Sequence, residues 1–114
     1  MTKSYKEITQ RISSNMKPLR SNISDTMQGF SAMAKAATAD GALDKKTKEL
    51  IALAIGVATR CDGCIGFHMK ALVELGATQE EIEETLGMTI YMGGGPSLMY
   101  AADAMQAYKE FSEK

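Results

Sequence analysis

Two cysteines, Cys61 and Cys64, stand three residues apart in the segment CDGCIGFHMKALVEL, and the single histidine, His68, follows Cys64 by four. A thiol pair at this spacing can close a disulfide across the start of a helix, one sulfur attacking a substrate and the other resolving the product. Four residues make about one helical turn, so Cys64 and His68 share a face, and an imidazole there can manage protons for a thiol. A helix N-terminus also favours thiolate, because its unpaired N–H groups attract negative charge. The same residues support two other readings. Cysteine packs readily as a small buried hydrophobe, beside a histidine with a structural role. Cys61, Cys64 and His68 could also hold zinc, but a fourth ligand must come from elsewhere and there is no second cysteine pair.

Glu49 is the carboxylate that could join them. If the chain folds back after residue 60, the helix of the cysteine pair packs on the helix of Glu49, and burial beside His68 would make Glu49 a proton carrier. Its neighbours argue for a different place. Lys45 and Lys48 can offset its charge on a helix surface, and by sequence alone the surface position is preferred.

The elements that must position these residues are helical. Tyr5, Ile8, Ile12 and Met16 form a first stripe, which Pro18 is expected to close. Asn22 and Asp25 resemble the start of a second helix, with Met27, Phe30, Met33, Ala34 and Ala37 on its apolar side. Asp40 and Gly41 mark a turn, and Asp44 can cap a helix over about residues 45 to 60. There Leu50, Ile51, Leu53, Ala54, Ile55, Val57 and Ala58 point in nearly all directions, so this helix is central or lies between subunits. The cysteine helix is expected to pack through Phe67, Ala71, Leu72 and Leu75 and to end at Gly76. Thr78 and Glu81 spell a capping box for the next helix, whose inward stripe is Ile82, Leu86 and Ile90. Gly93, Gly94, Gly95 and Pro96 then break the chain. The triglycine lacks the Lys-Ser or Lys-Thr ending of a phosphate loop and reads as a tight helix crossing. Ser97 is a reasonable cap for a last helix that packs through Leu98, Ala101, Met105, Tyr108 and Phe111. Met27, Met33, Met88, Met92, Met99 and Met105 suit irregular helical seams, including seams between subunits.

These patterns predict one all-α domain spanning 1–114, a bundle of about six helices. A chain of 114 residues should expose about 6,100 Å² when folded, against about 17,800 Å² extended, which allows a core without staples. Thirteen Lys and Arg against fourteen Asp and Glu leave a net charge of -1, so nothing supports nucleic-acid binding. Lys45, Lys46 and Lys48 read as a solvated first turn. No apolar run is long enough to cross a membrane, and MTKSYKEITQRIS lacks the apolar stretch of a secretion signal, so a cytoplasmic protein is expected. There is no nicotinamide fingerprint, and no flavin or haem is expected.

The segment from Glu49 through CDGCIGFH resembles the carboxymuconolactone decarboxylase superfamily, in particular its AhpD-like alkylhydroperoxidase branch. That branch carries a glutamate twelve residues before the first cysteine of C-x-x-C-x-x-x-H, matched here by Glu49, Cys61, Cys64 and His68. ELIALAIGVAT and YMGGGPSLMYAADAMQAYKEF also resemble its small stand-alone members, and the likeness extends over about residues 25 to 111. The resemblance implies packed antiparallel helices assembled as a homotrimer or homohexamer. It also implies a thiol peroxidase or disulfide oxidoreductase with no cofactor: Cys64 attacks, Cys61 resolves, and His68 and Glu49 relay protons. An external dithiol, carried on a lipoyl-bearing or thioredoxin-like protein, would return the electrons. The helix-dipole argument alone favours Cys61 as the more reactive thiol, and the family assignment favours Cys64.

One position departs from the pattern. The best-characterised antioxidant members carry a second histidine immediately before the second cysteine, where this chain has Gly63. Glycine supplies no proton-transfer group and would leave extra room near the pair, which points to weak peroxidase turnover or to a disulfide as the substrate. Two rival classes remain. The superfamily's decarboxylases act on a cyclic lactone acid without such a pair; Arg60 and His68 could contribute, but no decarboxylase-specific set emerges. A non-enzymatic helical module with a structural or metal-binding pair is the other.

Overall fold

The computed structural model describes residues 3–113, so the ends of the expected 1–114 domain lie outside the described residues. Among these residues there are six α-helices and no strand: α1 (Tyr5–Asn22), α2 (Ser24–Thr38), α3 (Lys45–Ala58), α4 (Asp62–Glu74), α5 (Gln79–Gly93) and α6 (Gly95–Ser112). Helices α3 and α6 pack on each other and on both α4 and α5, and α1 lies across α4 and α6. None of the described helices is long and apolar enough to cross a membrane.

The core joins Tyr5 of α1, Leu53 and Val57 of α3, Ile65, Met69 and Leu72 of α4, Ile82 and Leu86 of α5, and Ala101, Ala104 and Ala107 of α6. Alanines on α6 let that helix approach its neighbours closely. Local chemistry starts α3 and α5 where the sequence indicated. Asp44 accepts from Thr47 N–H at 2.8 Å, and Thr78 and Glu81 form both bonds of their capping box. At Gly93 an added Cβ would run into Ser97, which is the tight crossing expected of the triglycine.

Several expectations need correction. Pro18 does not close α1, which continues to Asn22. The proline forfeits one backbone bond at an end of the helix where the surrounding residues are exposed, and the chain tolerates the loss. No Asn22 cap starts α2; Ile23 stands at the junction without a side-chain cap. α4 packs through Ile65, Met69 and Leu72, while Leu75 is exposed. Both stripes have helical spacing, and the turn at Cys61 sets the phase that decides between them. Ser97 lies inside α6, buried, while Gly94 at φ 77° occupies the cap. Leu98 is exposed rather than packed, and α2 buries no residue at all. Met33, Met88, Met92 and Met99 are exposed as well, so they fill no seam within the chain.

Candidate active site

The turn between α3 and α4 builds the site. Cys61 N–H donates to Gly56 C=O at 2.9 Å and Arg60 N–H to Val57 C=O at 3.1 Å. This is a Schellman closure, with Arg60 at φ 58° in the left-handed position usually given to glycine. The end of α4 repeats the pattern with Gly76 at φ 79°. The first closure delivers Cys61 to the N-cap of α4, where its Sγ accepts the Cys64 N–H at 3.1 Å. Cys61 and Cys64 are joined in a disulfide, with their Cα atoms 5.2 Å apart. The pair therefore sits where backbone N–H groups and the helix dipole welcome a developing thiolate.

One face of α3 supplies the rest. Glu49, Leu53, Gly56 and Val57 are all buried there, at helical spacing. A Cβ on Gly56 would lie 3.0 Å from Cys64 Cβ, so the two helices cross closely beside the disulfide. Nearer the start of α3, Glu49 Oε2 accepts from His68 Nδ1 at 2.6 Å. The carboxylate side chain is only 7% exposed and the imidazole 34%. Glu49 is thus not on the helix surface, because the antiparallel return of α4 covers it and His68 satisfies its charge or its hydrogen bond. Donation from Nδ1 leaves Nε2 as the nitrogen able to exchange a proton with a reacting group. Lys48 does not offset Glu49; it donates to Ala39 C=O at 2.6 Å.

The expected extra room at Gly63 is absent. A Cβ there would meet Ile12 Cδ1 at 2.7 Å, and one on Gly66 would meet Thr9 Cγ2 at 2.6 Å. α1 fills the space beside the pair with apolar atoms. Among the described residues no group of three or more His, Cys, Asp or Glu is arranged to hold a metal ion. The structure joins the four residues singled out from the sequence in two pairs, Cys61 with Cys64 and Glu49 with His68, and His68 follows Cys64 by one turn of α4. It adds Gly56, whose place inside an apolar helical run was the signal for close packing, and Ile12, legible as part of the first stripe but not as the neighbour of Gly63, which is remote in sequence.

An all-helical bundle with a Cys-x-x-Cys pair at a helix start, followed one turn later by a histidine on a buried glutamate, defines the class of protein. The sequence model of the carboxymuconolactone decarboxylase family matches residues 24–107, and the chain belongs to that family. A carboxymuconolactone decarboxylase family protein from Legionella pneumophila is 59% identical, with a TM-score of 0.94 over 96% of this chain and 97% of its own. A family protein from Thermotoga maritima, described as a candidate in antioxidative response, is 29% identical, with a TM-score of 0.80 over 90% and 87%. Among curated relatives, a protein of Cupriavidus necator is 46% identical over 79 residues, 69% of this chain and 70% of its own. The family match begins at α2 and leaves α1 outside.

Proposed function

We propose that the protein is a thiol-dependent oxidoreductase that reduces a hydroperoxide, or another disulfide, through Cys61 and Cys64. The observation that carries this reading is the disulfide at the start of α4, one turn before a histidine held by a buried glutamate. In the peroxide reaction the Cys64 thiolate attacks the terminal oxygen and the O–O bond breaks. His68 protonates the leaving alkoxide, and Cys64 becomes a sulfenic acid. Cys61 then attacks that sulfur, water leaves, and the disulfide closes. An external dithiol, on a lipoyl-bearing or thioredoxin-like protein, supplies two electrons and two protons to reopen it. The likeness to the Thermotoga maritima protein supports an antioxidative role. The apolar Ile12 packing at Gly63 supports disulfide exchange as the second substrate class, because no further proton donor stands there.

A homo-oligomer, trimer or hexamer, is part of the same proposal. The chain exposes 7445 Å², well above the roughly 6,100 Å² expected for a compact monomer of its size. The excess includes Phe30, Met33, Ile51, Ile55, Met88 and Met92. Ile51, Ile55, Met88 and Met92 line one apolar groove between α3 and α5, of about 540 Å³, the kind of surface a second copy covers. The reaction suits a reducing compartment, the cytoplasm. Steady-state consumption of a hydroperoxide with dihydrolipoamide as donor tests the activity. Turnover lost when both cysteines are replaced by serine supports it, and turnover retained in that variant contradicts it.

A further inference from the structure

α1 lies outside the family match, yet the residues that lead into it place Lys3 on Asp62, the neighbour of Cys61 in sequence. Lys3 Nζ is 3.2 Å from Asp62 Oδ1 and 2.8 Å from Asp103 Oδ2. Asp62 is the first residue of α4 and follows Cys61 directly, while Asp103 belongs to α6. The ammonium also stands 5.8 Å from the Tyr5 ring centroid and 5.5 Å from that of Tyr100. The strap is anchored. Glu110 of α6 accepts from Tyr5 N–H at 3.0 Å, Lys6 N–H at 3.1 Å and the Ser4 hydroxyl at 3.0 Å, and Thr9 and Ile12 pack over Gly66 and Gly63. Tyr5 is fully buried, and burial pushes its phenol up to about 12. It stays neutral, so Asp62 and Asp103 are the anionic partners of Lys3.

Opening the disulfide creates a thiolate at the start of α4, and a carboxylate at Asp62 opposes that charge. A cation bound to Asp62 cancels the opposition. We propose that Lys3 is a positioning residue of the redox pair: by holding and neutralising Asp62 beside Cys61, it shifts the equilibrium between disulfide and dithiol toward the dithiol. The inference rests on the redox reading of the pair. The step itself is complete with a dithiol reductant, which gives up two electrons and two protons and closes its own S–S bond as Cys61–Cys64 opens; one proton stays on the pair as a thiol and the other passes to solvent, leaving the thiolate whose charge Asp62 opposes.

The test equilibrates the reduced and oxidised full chain in lipoamide–dihydrolipoamide buffers at neutral pH and low salt, and reads the dithiol fraction by alkylation and intact mass. Lys3→Met should move the exchange constant toward the disulfide by about three- to fivefold, the scale of a part-exposed ion pair, or roughly 14–21 mV for a two-electron couple. Lys3→Arg should restore the wild-type constant, and high salt should shrink the Lys3→Met effect. Asp62→Asn should shift the constant in the opposite direction and abolish most of the Lys3→Met effect when the two are combined. An unchanged constant in Lys3→Met, an equal shift in Lys3→Arg, or an Asp62→Asn shift toward the disulfide each overturns the proposal. Should Lys3→Met fail to fold, the sign of the Asp62→Asn shift decides. A wild-type pair that does not cycle with lipoamide at all overturns the underlying redox reading instead, and this proposal with it.

Discussion

Adding one methyl group at the crossing of α3 and α4 tests how the site is held together. In Gly56→Ala the new Cβ would lie 3.0 Å from Cys64 Cβ and 3.6 Å from both Cys64 C and Ile65 N. These atoms belong to or adjoin the backbone, so no rotamer change relieves them, and α4 must retreat by roughly half an ångström to reach ordinary carbon contact. Such overpacking costs about 1–3 kcal/mol. Against it stands the gain from replacing glycine in a helix interior, about 0.5–1 kcal/mol. Gly87→Ala in α5 is the control, because nothing lies within 4 Å of its added Cβ and only the gain remains. The two variants should differ by about 1–3 kcal/mol. For a chain of this length that is roughly 4–12 °C in Tm, with Gly56→Ala the lower. Thermal unfolding at one fixed protein concentration measures it. The same retreat should lengthen the Glu49–His68 bond and slow disulfide formation. A Gly56→Ala variant stabilised as much as Gly87→Ala, with unchanged oxidation kinetics, would refute the close crossing as the device that positions the pair.

Glu49→Gln keeps the shape of the side chain but removes its charge, and should slow peroxide-driven oxidation by about 10²-fold, seen in stopped-flow kinetics, with little loss of helicity. Arg60→Gly relieves a left-handed residue that costs about 1 kcal/mol, so a denaturant melt should show a more stable protein with its disulfide unchanged. Burial works to raise the Glu110 carboxyl, but the N–H groups of Tyr5 and Lys6 and the Ser4 hydroxyl outweigh it and hold the group below the usual glutamate range. The folded state thus binds its proton more weakly than the unfolded chain does. Its contribution is present above the ordinary glutamate value and lost as pH falls through the lowered one. Glu110→Gln should therefore be less stable than wild type at neutral pH, and the gap should close in acid-melting curves.

Much of this site could be read from residue types and spacing, because its chemistry is local. Cys61, Cys64 and His68 lie within one stretch of helix, and Asp44, Thr78 and Gly76 act on their nearest neighbours, so caps and ends fell where local rules put them. Glu49 was harder. Its lysine neighbours in sequence suggested a surface, and only the return of α4 shows which face is covered. The packing phase of α4 was illegible for a related reason. Leu72 was expected on the packed face and is buried there, but Ile65 and Met69 compete on equal spacing with Phe67, Ala71 and Leu75, and a tertiary turn settles the choice. Lys3 gave no signal because its partners lie 59 and 100 residues away. The apolar stripe of α2 was visible, but α2 buries none of it in this chain, which is what pattern alone cannot distinguish from a core face.

The most direct measurement is a single turnover of the fully reduced protein with stoichiometric hydroperoxide, followed by intact mass and alkylation. Wild type should lose two hydrogens and both free thiols as Cys61–Cys64 closes. Cys61→Ser should consume peroxide once and stop at a Cys64 sulfenic acid, whereas Cys64→Ser should consume none. Peroxide loss in Cys64→Ser but not in Cys61→Ser would reverse the roles of the two sulfurs. Full activity in both variants would contradict the account.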